Sequence, residues 1–264
     1  MLAVISPAKT LDFTSEPVTA KHSEPEFMDA AAVLARLMAN KKPSQLKSLM
    51  SISEQLASLN HARFQAWSRT PAPDALRAAL FAFKGDVYQG LDAATLKARD
   101  IDYAQSHLRI LSGLYGLLRP LDLIAPYRLE MGTALTNPRG RSLYDYWGDV
   151  PARALAAQAS SLRTRVLVNL ASQEYFRAVD SDALGLDIVT PVFKDWSRGQ
   201  YRILSFFAKR ARGMMVRFLI ERRCRKPAEL LDFDSAGYAY DAESSTPQSP
   251  VFLRRLPGSD AAAV

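Results

Sequence analysis

Three things are scarce in this chain of 264 residues, and each scarcity removes a class of function. Cysteine occurs once, at Cys224, so no internal disulfide framework can form and the composition suits a reducing cytoplasm. Histidine occurs three times (His22, His61, His107), with no H-x-x-x-H pair and no C-x-x-C beside it. No metal site is therefore expected, and no cofactor. Long apolar runs are missing too: none approaches the roughly 18 residues that span a bilayer, so no membrane partner is expected. The opening MLAVISPAKT has no charge before its short apolar stretch and reaches Pro7 and Lys9 at once, which reads as a first strand rather than a signal peptide. None of the glycine patterns is a phosphate-binding Walker loop or a dinucleotide fingerprint, and no G-x-S-x-G elbow occurs.

What is present is a globular composition, 48% hydrophobic and 23% charged, with a net charge of +7. An excess of that size suggests a polyanionic partner. It is unevenly spread. Between residues 197 and 226 stand Arg198, Arg202, Lys209, Arg210, Arg212, Arg217, Arg222, Arg223, Arg225 and Lys226 against the single acid Glu221.

Short runs rich in Val, Ile, Tyr and Phe predict strands over 2–5, 108–111, 165–170, 188–193, 201–206, 238–240 and 251–254. Helical spacing and caps predict helices over 25–40, 44–50, 54–67, 73–80, 92–99, 142–147, 151–160, 173–178 and 207–223. The fold class expected is α+β: a mixed sheet flanked by helices, with a helical lobe over about 25–100 and a basic cleft. Residues 1–255 read as one compact domain, 241–250 as a loop, and 256–264 as a flexible tail.

On a helical wheel of 207–223, Lys209, Arg210, Arg212, Arg217 and Arg223 fall within about half the circumference, opposite Phe207, Ala211, Met214, Met215, Phe218 and Leu219. One face would pack and the other would present guanidinium forks, which grip phosphate oxygens in pairs. A solvated face with its arginines paired to acids elsewhere is the plainer alternative.

A second candidate for phosphate contact lies in residues 41–67. Two predicted helices are joined by Ser51-Ile52-Ser53, with Ser53 a suitable N-cap. The pattern resembles a helix-hairpin-helix in which serines replace both hairpin glycines. In that motif the hairpin amides hold a DNA phosphate without reading bases. Lys41, Lys42, Lys47, His61 and Arg63 stand near enough to assist, and two ordinary packed helices are the alternative.

The densest polar grouping is scattered. Ser6, Lys9 and Thr10 follow the first strand. Lys84, Asp86 and Tyr88 surround a glycine turn, and Arg119, Asp122, Arg128 and Glu130 crowd the segment 107–132. Ser172 repeats the strand-to-helix design as an N-cap. Lys9 or Lys84 could serve as a buried amine of low pKa and Asp86 or Glu130 as a general base, with Arg128 a fifth catalytic candidate beside the pocket. Arg–carboxylate networks that only hold loops are the alternative. Cys224, between Arg223 and Arg225, could have a depressed pKa and peroxide reactivity, or be a bystander.

Taken together, ISPAKTLDF, FKGDVYQGL, LSGLYGLLRPLDLIAPYRLEMG, NLASQEYF and FFAKRARGMM resemble the YaaA family of bacterial peroxide-stress proteins, in order and over nearly the whole chain. The resemblance implies a cytoplasmic protein with an α/β fold of its own that limits oxidative damage and free iron during peroxide stress. It also implies DNA binding through a positive cleft and a helix-hairpin-helix element. Mapped onto this chain, the DNA contacts are Lys209, Arg210, Arg212 and Arg217 on the basic helix, with Lys47, Ser51, Ile52, Ser53 and Arg63 at the hairpin. The alternative function is an enzyme or ligand-binding protein that uses the polar cleft, with a nucleobase in DNA as one candidate substrate.

Overall fold

The computed structural model describes residues 1–16, 18–179 and 181–256. The tail expected at 256–264 lies, from 257 onward, outside the described residues.

Two main sheets form where one was expected. In the first, Leu2–Ile5 lies centrally, parallel to Leu108–Ser112 on one side and to Val166–Asn169 on the other. Asp187–Val189 extends the parallel set, and Gly116–Leu118 closes the opposite edge antiparallel. All four residues of LAVI are buried, as a parallel strand covered on both faces requires. In the second sheet Val192–Ser197 and Ser249–Arg254 pair parallel at the centre, with Gln200–Arg202 and Ala239–Thr246 antiparallel at the edges.

The strand expected at 188–193 is therefore two strands in two sheets, divided at Thr190–Pro191. Proline has no N–H to continue a ladder, and the Thr190 amide turns instead to the Gln248 carbonyl at 2.7 Å. The loop expected at 241–250 is a hairpin of the second sheet. The strand expected at 201–206 ends at Arg202, because Ser205 already opens the long helix Ser205–Arg222.

Met28–Ala39, Pro43–Met50, Glu54–Ala66, Leu143–Trp147, Val150–Ser161 and Gln173–Phe176 fall where helices were expected. The segment 73–80 does not form one helix: it divides into a turn at Pro73–Ala75, a short strand Arg77–Ala78 paired with Leu123–Ile124, and a single turn Ala79–Ala82. The segment 92–99 carries only the short turn Ala93–Thr95, since Asp92 takes φ +47° and ends the helix Asp86–Leu91 before it. The helix proper runs Ala98–His107.

The long helix is buried on more than the one face that the wheel assigned. Ala208, Ala211, Gly213, Met215, Val216, Phe218, Leu219 and Ile220 are all buried, because the helix packs on Asp86–Leu91, on Ala98–His107 and on Val192–Ser197. Its crossing with Asp86–Leu91 is made by two glycines. A side chain on Gly90 would run into the Arg210 carbonyl, and one on Gly213 into the Val87 carbonyl. The two helices meet backbone to backbone, which fixes Lys209 and Arg212 beside the start of the shorter helix.

Candidate functional site

Parallel strands leave a crevice at their carboxyl ends, where the chain turns out of the sheet. Two cavities open there, and Arg212 lines both. The first, of about 470 Å³, takes the loop after Leu2–Ile5 (Ser6, Lys9, Thr10) and the turn Lys84, Gly85, Asp86. Ser172 and Glu174, which follow Val166–Asn169, and Lys209 and Arg212 of the long helix complete it. The second, of about 440 Å³, lies between the ends of Val166–Asn169 and Asp187–Val189 and the start of the long helix.

Backbone pairing stitches the distant segments of the first cavity together. Thr10–Leu11 pairs antiparallel with Phe83–Lys84, with Thr10 opposite Lys84. The Ser172 amide donates to Ser6 Oγ at 2.9 Å, and Ser172 Oγ caps the next helix by accepting from the Tyr175 amide. The Tyr88 hydroxyl donates to the Ser6 carbonyl at 3.1 Å, and burial pushes the pKa of Tyr88 and of Tyr175 upward. Glu174 Oε1 accepts from the Gly132 amide at 2.9 Å.

The cations divide into two kinds. Lys9 is exposed and paired with Glu130 at 2.6 Å, and Lys84 is exposed and 3.5 Å from Asp12. Neither is the buried amine that sequence reasoning allowed. Lys209 and Arg212 have no carboxylate partner among the described residues. Arg212 is moreover half-buried, and desolvation lowers its pKa. Burying a charge without a counter-charge is costly, and no carboxylate among the described residues offsets that cost at Arg212.

Of the remaining candidates, Asp86 lines the first cavity, at the start of the helix Asp86–Leu91. Arg128 and Glu130 do not line it; they pair with each other at 3.0 Å, and Glu130 also holds Lys9. Asp122 is buried, accepts from Arg119 and Ser23, and is a loop anchor. Arg210 is exposed on the long helix. Arg217 turns inward: it donates to the carbonyls of Leu91 and Asp92 and to Thr95 Oγ1 at 2.7 Å, and pairs with Glu221 at 2.9 Å. Arg223 is likewise internal, bonded to Asp100 and lying over the Tyr103 ring at 4.2 Å.

The helices of 43–66 are joined through Ser51, which adopts φ +52°, buried Ile52, and Ser53, which caps the second helix through the Leu56 amide. The Ser51 and Ile52 amides both donate to the Lys47 carbonyl. Lys47 lies 3.8 Å from Glu54, and Arg63 is half-buried. None of these residues lines either cavity that Arg212 lines.

Cys224 is 2% exposed, and burial, reinforced by Glu229, pushes its thiol up to about 11. The nearby Arg222 acts in the opposite direction and does not offset the burial. Among the described residues no three His, Cys, Asp or Glu side chains are grouped as metal ligands, and no helix is long and apolar enough to cross a membrane. Sequence reasoning missed the second cavity entirely. Its walls come from strand ends and a helix start, and no local pattern signals that Asn169, Thr190 and Ile203 meet.

The model of the family described as peroxide stress protein YaaA matches residues 1–244. A UPF0246 protein of Paraburkholderia phytofirmans is 52% identical over 258 residues, covering 97% of this chain and 99% of its own. A UPF0246 protein of Pseudoalteromonas translucida is 52% identical over 255 residues, 96% and 98% of the two chains. One from Shewanella putrefaciens is 51% identical over 254 residues, 96% and 99%. With matches of this length on both sides, the chain belongs to the YaaA family of peroxide stress proteins.

Proposed function

We propose that this peroxide stress protein binds DNA through the phosphate backbone, and that the first cavity is where the strand is gripped. One observation carries the reading. Lys209 and Arg212 lack any carboxylate partner among the described residues, yet line a cavity that Lys9 and Lys84 also line. Phosphate oxygens supply the missing negative charge, and the planar fork of Arg212 suits them. Arg210, exposed on the same helix, extends the contact along the strand. In this reading the basic cleft is this crevice.

The hairpin at 51–53, read as a degenerate helix-hairpin-helix, is a second contact. It acts through Lys47, Ser53 and Arg63, because the Ser51 and Ile52 amides are already taken up by Lys47. Arg217, committed to the turn at 91–95, supports the helix and does not touch DNA. Oxidative, iron-linked damage is limited by occupancy of the DNA itself, in the cytoplasm.

The test is a salt titration of duplex binding. Counterion release gives a log–log slope of about −0.9 per neutralised phosphate, so affinity falls steeply between low and moderate salt. An affinity indifferent to salt would overturn the reading. A second reading, chemistry on a bound nucleotide, is favoured by Asp86 standing in the same cavity. Incubation with lesion-bearing duplexes, scored for cleaved or abasic product, separates the two.

A further inference from the structure

The walls of the second cavity include Phe176, Pro191, Val192 and Ile203, with Asn169 and Thr190 at a polar edge and Gln173 and Arg177 also lining it. Ile203 is 59% exposed, an apolar side chain left in water beside an apolar hollow. Asn169 and Thr190 are bonded to each other, Nδ2 to Oγ1 at 3.3 Å, and Asn169 Oδ1 accepts from the Ala171 amide. The polar edge is thus held in place by the strand ends and does not collapse inward. A pocket of this volume with an apolar lining and a few fixed polar groups has the form of a small-ligand site.

Arg212 joins this hollow to the cationic one, and the junction restricts what fits both. A ligand that fills both has an anionic group at the guanidinium and a largely apolar group with a polar rim beyond it. Inorganic phosphate satisfies only the first requirement, and an aliphatic or aromatic molecule without charge only the second.

We infer that the second cavity receives the base of an unpaired deoxynucleotide whose 5′-phosphate sits on Arg212 and Lys209. The inference rests on the backbone-binding reading for its phosphate contact and adds the base. It means that a strand with an unstacked or bulged nucleotide is held by two cavities, and a fully paired strand by one. The apolar walls accept any base face, so the preference is for the unpaired state and not for a sequence.

The experiment is titration calorimetry with deoxyadenosine 5′-monophosphate and, separately, deoxyribose 5-phosphate, on the full chain, with duplex binding measured on the same preparation. The nucleotide is expected to bind at least about tenfold more tightly than the sugar phosphate. Ile203→Ser, at an exposed position that leaves the core intact, is expected to shrink that margin below about threefold while leaving the sugar phosphate unaffected. Arg212→Ala is expected to weaken both ligands. Equal affinity of the two ligands, or a margin unmoved by Ile203→Ser, overturns the base pocket. If neither small ligand binds and duplex DNA still does, the base pocket falls and backbone binding stands. If duplex binding is absent as well, both fall.

Discussion

Gly213 lies against the carbonyl of Val87 so closely that a side chain there would overlap it, and Gly90 stands in the same relation to Arg210. The crossing places a cationic helix beside the turn that carries Lys84 and Asp86. Gly213→Ala is expected to force the helices apart and to lower stability by at least about 1–3 kcal/mol, the usual cost of overpacking. Urea unfolding reads the loss. An alanine variant as stable as the parent would mean that the helices are not in backbone contact.

The cations divide by what already occupies them, and that gives each a different phenotype. Lys209→Ala and Arg212→Ala should leave the melting temperature near that of the parent and flatten the salt slope of DNA binding by about 0.9 each. A slope unchanged by both would place the strand elsewhere on the molecule.

Arg217→Glu should behave in the opposite way. It removes the donors to Leu91, Asp92 and Thr95 and sets a carboxylate beside Asp92 and Glu221. A loss of roughly 1.5–3 kcal/mol in stability is expected, as for hydrogen bonds from a charged group. Intact stability with abolished DNA binding would instead return Arg217 to the interface.

Asp195 and Arg254 form a buried ion pair at 2.6 Å, with the Tyr238 hydroxyl donating to the same carboxylate and the Phe207 and Tyr238 rings around the guanidinium. Removing one partner strands the other, so Arg254→Met should cost about 3–5 kcal/mol. A denaturation midpoint close to the parent's would show that Asp195 is satisfied without it.

Alkaline stability follows from the buried acids. The Cys224 thiol is pushed up to about 11 and the Tyr115 hydroxyl to about 12, while Tyr88, Tyr127 and Tyr175 are raised as well. These groups lose protons more readily when unfolded, so the stability they supply is complete below the ordinary thiol and phenol range. It declines as pH climbs from about 9 toward 11–12. The urea midpoint should fall across that window, and iodoacetamide should leave native Cys224 unlabelled at neutral pH. Rapid labelling of the native protein would contradict its burial.

Much of the element content was legible because short apolar runs and caps are local signals. LAVI, the Ser53 and Ser172 caps and most of the helices needed nothing beyond their own neighbourhood. What was not legible depends on partners far away in sequence. The basic wheel gave Arg212 and Arg217 equal standing, yet one borders two cavities and the other is claimed by the 91–95 turn. The 188–193 run looked continuous because each half has strand composition; only the proline hinted at a division. The five candidate catalytic residues come from three segments far apart in sequence, and the structure puts Lys9, Lys84 and Asp86 on a common cavity while Arg128 and Glu130 pair outside it.

The step at Thr190–Pro191 has one more effect. The outer strand of the first sheet offers only Asp187–Val189 before the chain departs, and the Thr190 amide is already engaged by Gln248. So short a free margin, ended by a residue that cannot donate, gives an incoming chain almost nothing to template on. This peroxide stress protein thus presents little purchase at this edge to unfolded segments of other chains.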